Sequence, residues 1–173
     1  MAEFQGIDVS KHQGGILWPQ VKEAGIQFAI LRAGYGREVS QKDVCFEENY
    51  KNAKAAGIPV GAYWYSYAVD AEDAKKEAAA CLACIKGKTF EYPIAYDVED
   101  HSQAGFDKQK LTDIVTAFCE ELEAAGYYVM VYANKNWLET KLDYERLKQY
   151  DIWLAQWADE ADWAGDYGIW QYS

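Results

Sequence analysis

The sequence predicts an α/β protein built on a parallel β-sheet, and three observations support this class. First, a helical segment that ends at a glycine and leads into an apolar run occurs at residues 22–28, 54–60 and 123–129, with a looser copy at 86–94. Second, the glycines of these junctions lie roughly 30 to 40 residues apart, about the length of one βα unit. Third, the apolar runs show no polar alternation, as expected for strands that are covered on both faces.

The order of the elements follows from these junctions, because glycine tolerates the left-handed conformation that closes a helix. The predicted strands cover residues 6–9, 28–33, 60–66, 94–98, 129–133, 152–156 and 169–172. The predicted helices between them cover residues 19–24, 46–56, 71–85, 108–125 and 137–147. No good helix fits between the last two strands, where Gly165 and Asp166 lie.

The sequence pattern fits either a sheet closed into a barrel or an open sheet. A full eightfold βα barrel usually needs about 250 residues, so 173 residues suit a barrel that lacks its last helices. An open doubly wound sheet is the alternative, and it would normally carry a glycine-rich phosphate loop after the first strand. Here that strand is followed by residues 10–15, SKHQGG, which have neither Walker nor dinucleotide spacing.

Length and charge exclude several classes of function. The chain fits one domain, and its net charge of −11 opposes the phosphate contacts that nucleic-acid binding needs. No stretch approaches the roughly 18 apolar residues of a membrane span. The first residues lack the basic start and apolar core of a signal peptide. We expect a monomer that binds neither nucleic acid nor a membrane.

The four cysteines raise the question of a metal or redox site, since Cys81 and Cys84 have CxxC spacing. No second CxxC is present, and the two histidines are too few for a convincing zinc set. The run from 73 to 86 reads as a helix, which places both thiols on one face. We therefore interpret them as reduced core cysteines and predict no metal and no cofactor.

Acidic residues lie where the predicted strands end, the edge at which parallel α/β folds place their chemistry. Asp8 is near the end of the first strand, and Asp97 and Glu99 close the fourth. Residues two apart in a strand share a face, and burying two ionised carboxylates together is costly. One carboxyl of such a pair is expected to stay protonated near neutral pH, which is the arrangement that glycosidic cleavage needs. A solvated acidic turn is the alternative for Asp97 and Glu99, and a metal site that adds Asp100 and His101 is another.

Aromatic residues gather at the other strand ends, in a chain with 14 Tyr and 7 Trp. Their apolar faces and polar tips suit sugar rings, whereas Trp64, Trp153 and Trp170 read as core residues beneath helices. The candidates for substrate binding are Tyr35, Tyr63, Tyr65, Tyr132, Gln156 and Trp157.

Six segments in chain order resemble the family 25 glycoside hydrolases, the Chalaropsis-type lysozymes. Each segment alone is modest, but the six cover essentially the whole chain. They are GIDVS with HQG at residues 6–14, FAILRAG at 28–34, GAYWY at 61–65, PIAYDVE at 93–99, IWLAQW at 152–157 and IWQYS at 169–173.

The resemblance implies a shortened TIM-like barrel, five βα units followed by three strands with few helices. It also implies an N-acetylmuramidase that cleaves the bond between N-acetylmuramic acid and N-acetylglucosamine in peptidoglycan, so the expected partner is the glycan strand. By resemblance Glu99 is the general acid/base, Asp97 is the second carboxylate and Asp8 lines the same mouth.

The resemblance also sets expectations for the extent of the domain and its place of action. Residues 1–173 are expected to form a single catalytic domain that lacks a short C-terminal segment, because relatives continue past WQYS to another acidic residue. The expected place of action is the bacterial cell wall, reached outside the cell or by release during phage lysis. The alternative functions are a glycan-binding barrel with weak or no catalysis and a metal-dependent polysaccharide deacetylase.

Overall fold

The protein forms one seven-stranded parallel sheet in a computed structural model that describes residues 3–173. The strands pair in chain order, so each strand lies beside its sequence neighbours, as in a barrel. Their bounds are β1 Gly6–Val9, β2 Phe28–Tyr35, β3 Val60–Tyr65, β4 Ile94–Asp97, β5 Val129–Asn134, β6 Asp151–Ala155 and β7 Ile169–Gln171. All seven predicted strands are confirmed to within two residues at each end.

Helices connect the first six strands on the outside of the sheet. Their bounds are α1 Trp18–Glu23, α2 Phe46–Ala55, α3 Ala71–Ile85, α4 Lys108–Ala124, α5 Lys135–Thr140 and α6 Tyr144–Leu147. The helix predicted over 137–147 is wrong as one element, because it divides into α5 and α6. The Leu142 amide turns back to the Trp137 carbonyl, and the Asp143 amide donates to Thr112 Oγ1 on α4, so the helical ladder cannot continue.

The glycine junctions explain why the helices end where they do. Gly25, Gly57, Gly87 and Gly126 all adopt positive φ, between 71° and 91°. An L-residue with a side chain rarely adopts this conformation, so the four glycines stop the helices and turn the chain into the next strand. The prediction from the repeat is confirmed at each copy.

Two apolar layers hold the sheet. The larger lies between the sheet and the helices, where Trp64 is fully buried and Tyr96 stacks on Phe118 with ring centroids 3.8 Å apart. The smaller fills the inside of the curled sheet and contains Phe28, Ile30, Ala95, Met130, Tyr132, Trp153 and Ala155. The strands pair in chain order and this inner layer contains no helical residue among residues 3–173, which distinguishes the curled sheet from a doubly wound sheet with helices on both faces. The shortened TIM-like barrel is confirmed. Two strands, β6 and β7, follow the fifth βα unit within residues 3–173.

Trp153 lies on the other side of the sheet from the position that the sequence suggested. Its ring packs inside the barrel against Tyr132 and Tyr63, at centroid distances of 4.7 and 6.1 Å. The prediction that Trp153 is a core residue was therefore right, but its predicted position beneath the helices was wrong. Trp64 and Trp170 do pack on the helix side, as expected.

The cysteines of the CxxC pair are buried and reduced, as the sequence predicted. Cys81 and Cys84 on α3 are buried, Cys119 is buried on α4, and all four thiols are free. No helix in the described part of the chain has the length and apolar character to cross a membrane.

Candidate active site

The carboxyl ends of the strands form the mouth of the barrel, and the predicted acids meet there. Asp97 is the last residue of β4, and it pairs in register with Tyr65 of β3 and Tyr132 of β5. It is only 5% exposed, and its Oδ1 has no hydrogen-bond partner among residues 3–173. Burial, followed by the charges of Glu99 and Asp8, raises the pKa of Asp97 well above its usual range.

Glu99 and Asp8 complete a group of three carboxyls. Glu99 lies two residues beyond β4 and is exposed at the mouth, while Asp8 is half-buried on β1. Partial burial, then the charges of Asp8 and Asp100, raise the pKa of Glu99. Burial also raises the pKa of Asp8, against a hydrogen bond from Gln171. The structure therefore brings Asp8, Asp97 and Glu99 together, and their mutual repulsion favours holding protons within the group.

Asp100 behaves differently from its neighbours. Hydrogen bonds from the Ser102 hydroxyl, the Ser102 amide and the Tyr65 hydroxyl outweigh the effect of burial and lower the pKa of Asp100. Asp100 is thus an ionised acceptor that fixes Tyr65. Its fixed charge helps to raise the pKa of Glu99 beside it.

Arg32 is a cation whose charge acts on the buried acid Asp97. Its Nε donates to Asp43 Oδ2 at 2.7 Å, and Asp43 also accepts from the Lys11 and Cys45 amides. Arg32 Nη2 is buried and has no hydrogen-bond partner among the described residues. The Arg32 charge lowers the pKa of Asp97 against the larger effects of burial and its acidic neighbours, so Arg32 favours the ionised form of that carboxyl and offsets its negative charge.

A bulge in β2 turns Arg32 and Tyr35 toward the mouth together. The register with β3 shifts between Arg32 and Gly34, so the extra residue reverses the alternation of side chains after that point. Tyr35 then pairs with Tyr65 instead of facing the helices, and its ring lies 5.8 Å from the Arg32 guanidinium carbon. A Cβ on Gly34 would lie 2.6 Å from the Trp64 ring, so the bulge needs glycine there.

The predicted tyrosines occupy two levels of the mouth. Tyr63 and Tyr132 lie inside the barrel, and burial first, then the charge of Asp97 on Tyr63 and of Glu99 on Tyr132, raise the pKa of each phenol. Tyr35 and Tyr65 lie at the rim beside Tyr67, with centroids 6.0 and 5.1 Å from it. The Tyr63 and Tyr132 hydroxyls therefore stay protonated and remain hydrogen-bond donors.

Gln156 and Trp157 follow β6 and differ in what they contact. The Gln156 side-chain NH₂ donates to the Asp162 carboxylate, and the Gln156 side-chain oxygen accepts from the Asp162 backbone amide. The side chain therefore holds the loop after β6. Trp157 is 75% exposed, and its indole N–H donates to Gln171 Oε1 at 3.1 Å. The exposed Trp157 ring therefore lies at the rim of the mouth next to the end of β6.

Sequence reasoning missed Arg32, Asp43 and Gln171 as parts of this site. Arg32 was the one charged residue in an otherwise apolar strand, which is a usable signal. Asp43 and Gln171 carried none, because their importance depends on which strands and loops meet in three dimensions. No group of three or more His, Cys, Asp or Glu side chains within residues 3–173 is arranged to hold a metal ion, which includes the set around Asp97 and His101.

Fold and site together define a parallel barrel whose mouth is lined by carboxyls and aromatic rings, an arrangement found among glycoside hydrolases. The family description "Glycosyl hydrolases family 25" matches residues 7–173. The chain therefore belongs to glycosyl hydrolase family 25, and the resemblance seen in the sequence is confirmed.

Individual relatives agree with this assignment. An autolytic lysozyme of Clostridium acetobutylicum is 28% identical over 154 residues, which cover 89% of this chain and 45% of that protein. A bacterial lysozyme structure from Streptomyces coelicolor is 27% identical with a TM-score of 0.84, covering 99% of this chain and 84% of that one. The modular autolysin LytC of Streptococcus pneumoniae, solved with a synthetic peptidoglycan ligand, is 28% identical with a TM-score of 0.85, covering 97% and 42%. The chain spans less than half the length of the curated relatives that it matches.

Proposed function

We propose that this chain is a muramidase that hydrolyses the β-1,4 bond between N-acetylmuramic acid and N-acetylglucosamine in peptidoglycan. The observation that carries the proposal is the group of three carboxyls with raised pKa values, Asp8, Asp97 and Glu99, at the carboxyl ends of β1 and β4. The lysozyme and autolysin names of relatives, and the peptidoglycan ligand of one of them, support the same substrate. The place of action is then the bacterial cell wall.

Glu99 is the group that donates the proton in this proposal. It is exposed at the mouth, and no hydrogen bond or ion pair holds its carboxyl among residues 3–173, so it can reach the glycosidic oxygen. Its raised pKa keeps a proton available at a pH where an ordinary glutamate has lost it. As the bond to the leaving sugar breaks, the proton passes to the leaving oxygen and positive charge develops on the ring that stays.

Asp97 and Asp8 act on the sugar that carries this charge. Asp97 Oδ1 has no hydrogen-bond partner among residues 3–173, so in this proposal it accepts a hydrogen bond from the acetamido N–H of the bound substrate. As Glu99 gives its proton to the leaving oxygen, the mouth gains one negative charge, and this charge stabilises the oxocarbenium-like transition state. Water, deprotonated by Glu99 acting as base, completes hydrolysis.

The aromatic residues bind the glycan strand. Tyr35, Tyr65 and Trp157 lie at the rim, where their rings can stack on sugar faces. Tyr63 and Tyr132 lie deeper and present hydroxyls next to the acids. Gln156 contributes by holding the loop after β6 through Asp162.

The experiment is product analysis on purified peptidoglycan. Digestion followed by borohydride reduction should yield muramic acid alcohol at the new ends, because a muramidase leaves N-acetylmuramic acid at the reducing end. Glucosamine alcohol instead would show cleavage of the other bond. Sedimentation with the wall and no new reducing ends would show a binding barrel, and acetate release that a chelator abolishes would show a deacetylase; either result would refute the proposal.

A further inference from the structure

Gln171 lies where the two edges of the sheet face each other. β1 and β7 are the first and last strands in the sheet order and share no backbone pairing. Side chains bridge this seam instead: Gln171 Nε2 donates to Asp8 Oδ2 at 2.9 Å, and the Tyr172 hydroxyl donates to Gln5 Oε1 at 2.9 Å. The first bridge is in the mouth and the second lies at the exposed outer surface.

The orientation of the Gln171 amide follows from the chemistry of its partners. The Trp157 indole N–H can only donate, so the atom that it contacts must be the carbonyl oxygen, Oε1. The Tyr132 hydroxyl donates to the same oxygen at 2.8 Å. The NH₂ group therefore faces Asp8, and one side chain holds three residues of the site in fixed positions.

We propose that Gln171 is a positioning residue that fixes Asp8 and Tyr132 relative to each other and links them to the rim residue Trp157. The inference rests on the proposed function, because the orientation of Asp8 affects a rate only if this site hydrolyses the glycan. One Asp8 oxygen is bound by Gln171, which leaves the other free to meet the substrate. Gln171 contacts both the Trp157 ring at the rim and the Asp8 carboxyl in the mouth. A sugar that stacks on Trp157 therefore meets an Asp8 carboxyl that is already oriented.

Only an amide satisfies these contacts together. Glutamate has no donor for Asp8 when ionised and adds a like charge beside it, whereas alanine leaves Asp8, Tyr132 and Trp157 without their common partner. Tyr172→Phe is the matched control, because it removes the other bridge of the same seam and touches none of the three residues. The control thus separates positioning in the site from simple closure of the barrel.

The experiment compares wild type, Gln171→Ala, Gln171→Glu and Tyr172→Phe in two measurements. The first is kcat and KM on peptidoglycan fragments as a function of pH. The second is the titration of the Asp8 carboxyl by ¹³C NMR, which does not need activity. We expect Gln171→Ala to lower kcat about 10- to 100-fold, as for other losses of orientation, with KM changed less. The pKa of Asp8 should rise in Gln171→Ala and rise further in Gln171→Glu.

Three outcomes separate the inference from the proposed function. Wild-type kcat and an unchanged Asp8 titration in Gln171→Ala would overturn the inference and leave the function standing. The same loss in Tyr172→Phe as in Gln171→Ala would also overturn it, since the effect would then come from the seam. If wild type were inactive, the proposed function would fail, while the shift of the Asp8 titration would still decide whether Gln171 holds that carboxyl.

Discussion

Glu77 is a carboxyl buried behind β4, and its replacement by glutamine tests the electrostatics of the fold. It lies on α3 and is 1% exposed. Its oxygens accept from the Tyr67 amide at 2.8 Å and from the Tyr96 hydroxyl at 2.7 Å. Burial outweighs these hydrogen bonds and raises the pKa of Glu77 from 4.5 to about 7, with a smaller contribution from the charge of Asp73.

The sign and size of the effect on stability follow from this raised pKa. The folded state binds the proton more tightly than the unfolded state, so stability is fully present below pH 4.5 and falls as the pH rises toward about 7. A difference of about 2.5 pKa units corresponds to about 3 kcal/mol. Glutamine resembles the protonated acid, since its oxygen can accept from the Tyr67 amide and its NH₂ can donate to the Tyr96 hydroxyl. Glu77→Gln should therefore gain up to about 3 kcal/mol over wild type between pH 4 and pH 8.

Urea unfolding at pH 4, 6 and 8, followed by circular dichroism, measures this difference. Glu120→Gln, at an exposed position on α4, is the matched control for the loss of one carboxylate, and Glu77→Gln should show the larger gain with pH. The carboxyls of the mouth also titrate, but they are common to both proteins and their contributions cancel. An identical pH dependence in Glu77→Gln and wild type would refute the reasoning.

Three further predictions concern the core, the ion pair and the mouth. Trp64→Ala should destabilise the protein by about 3–5 kcal/mol, because Trp64 is fully buried and its indole donates to the Gly36 carbonyl at 2.9 Å; a loss below about 1 kcal/mol in urea unfolding would contradict the packing. Arg32→Met leaves the buried Asp43 carboxylate without its counter-ion and should cost about 3–5 kcal/mol, with unchanged urea stability as the contrary result. In the proposed mechanism Glu99 must stay protonated, so kcat/KM should decline as the pH rises past its raised pKa. Asp100→Asn should move that decline to lower pH, and an unmoved pH–rate profile would argue against the coupling.

The sequence predicted the fold well where the signals were local. A glycine with positive φ ends each of four helices, and a single residue such as Gly57 is enough to predict this conformation. The acids were also predictable, because Asp97 and Glu99 close an apolar strand at the edge where a parallel sheet gathers its polar groups. The family resemblance then assigned their expected roles.

The parts that escaped prediction depend on register and on distant pairing. Tyr35 faces the mouth only because β2 bulges after Arg32, and nothing in the local pattern marks an extra residue there. Trp153 was placed on the wrong side of the sheet, because a strand covered on both faces shows no polar alternation that would tell inside from outside. Gln171 contacts Asp8 across more than 160 positions of the chain, so only the folded sheet shows the pair.

The most direct test of the central claim is the rate of reducing-end release from peptidoglycan by wild type, Glu99→Gln and Glu120→Gln. Glutamine at 99 keeps the shape of the side chain and removes the proton that the mechanism transfers. The account predicts a fall of about 10²–10⁴-fold for Glu99→Gln, with no loss of stability in urea and a wild-type rate for the control. A Glu99→Gln protein that cleaves at the wild-type rate would contradict the assignment of Glu99 as the acid.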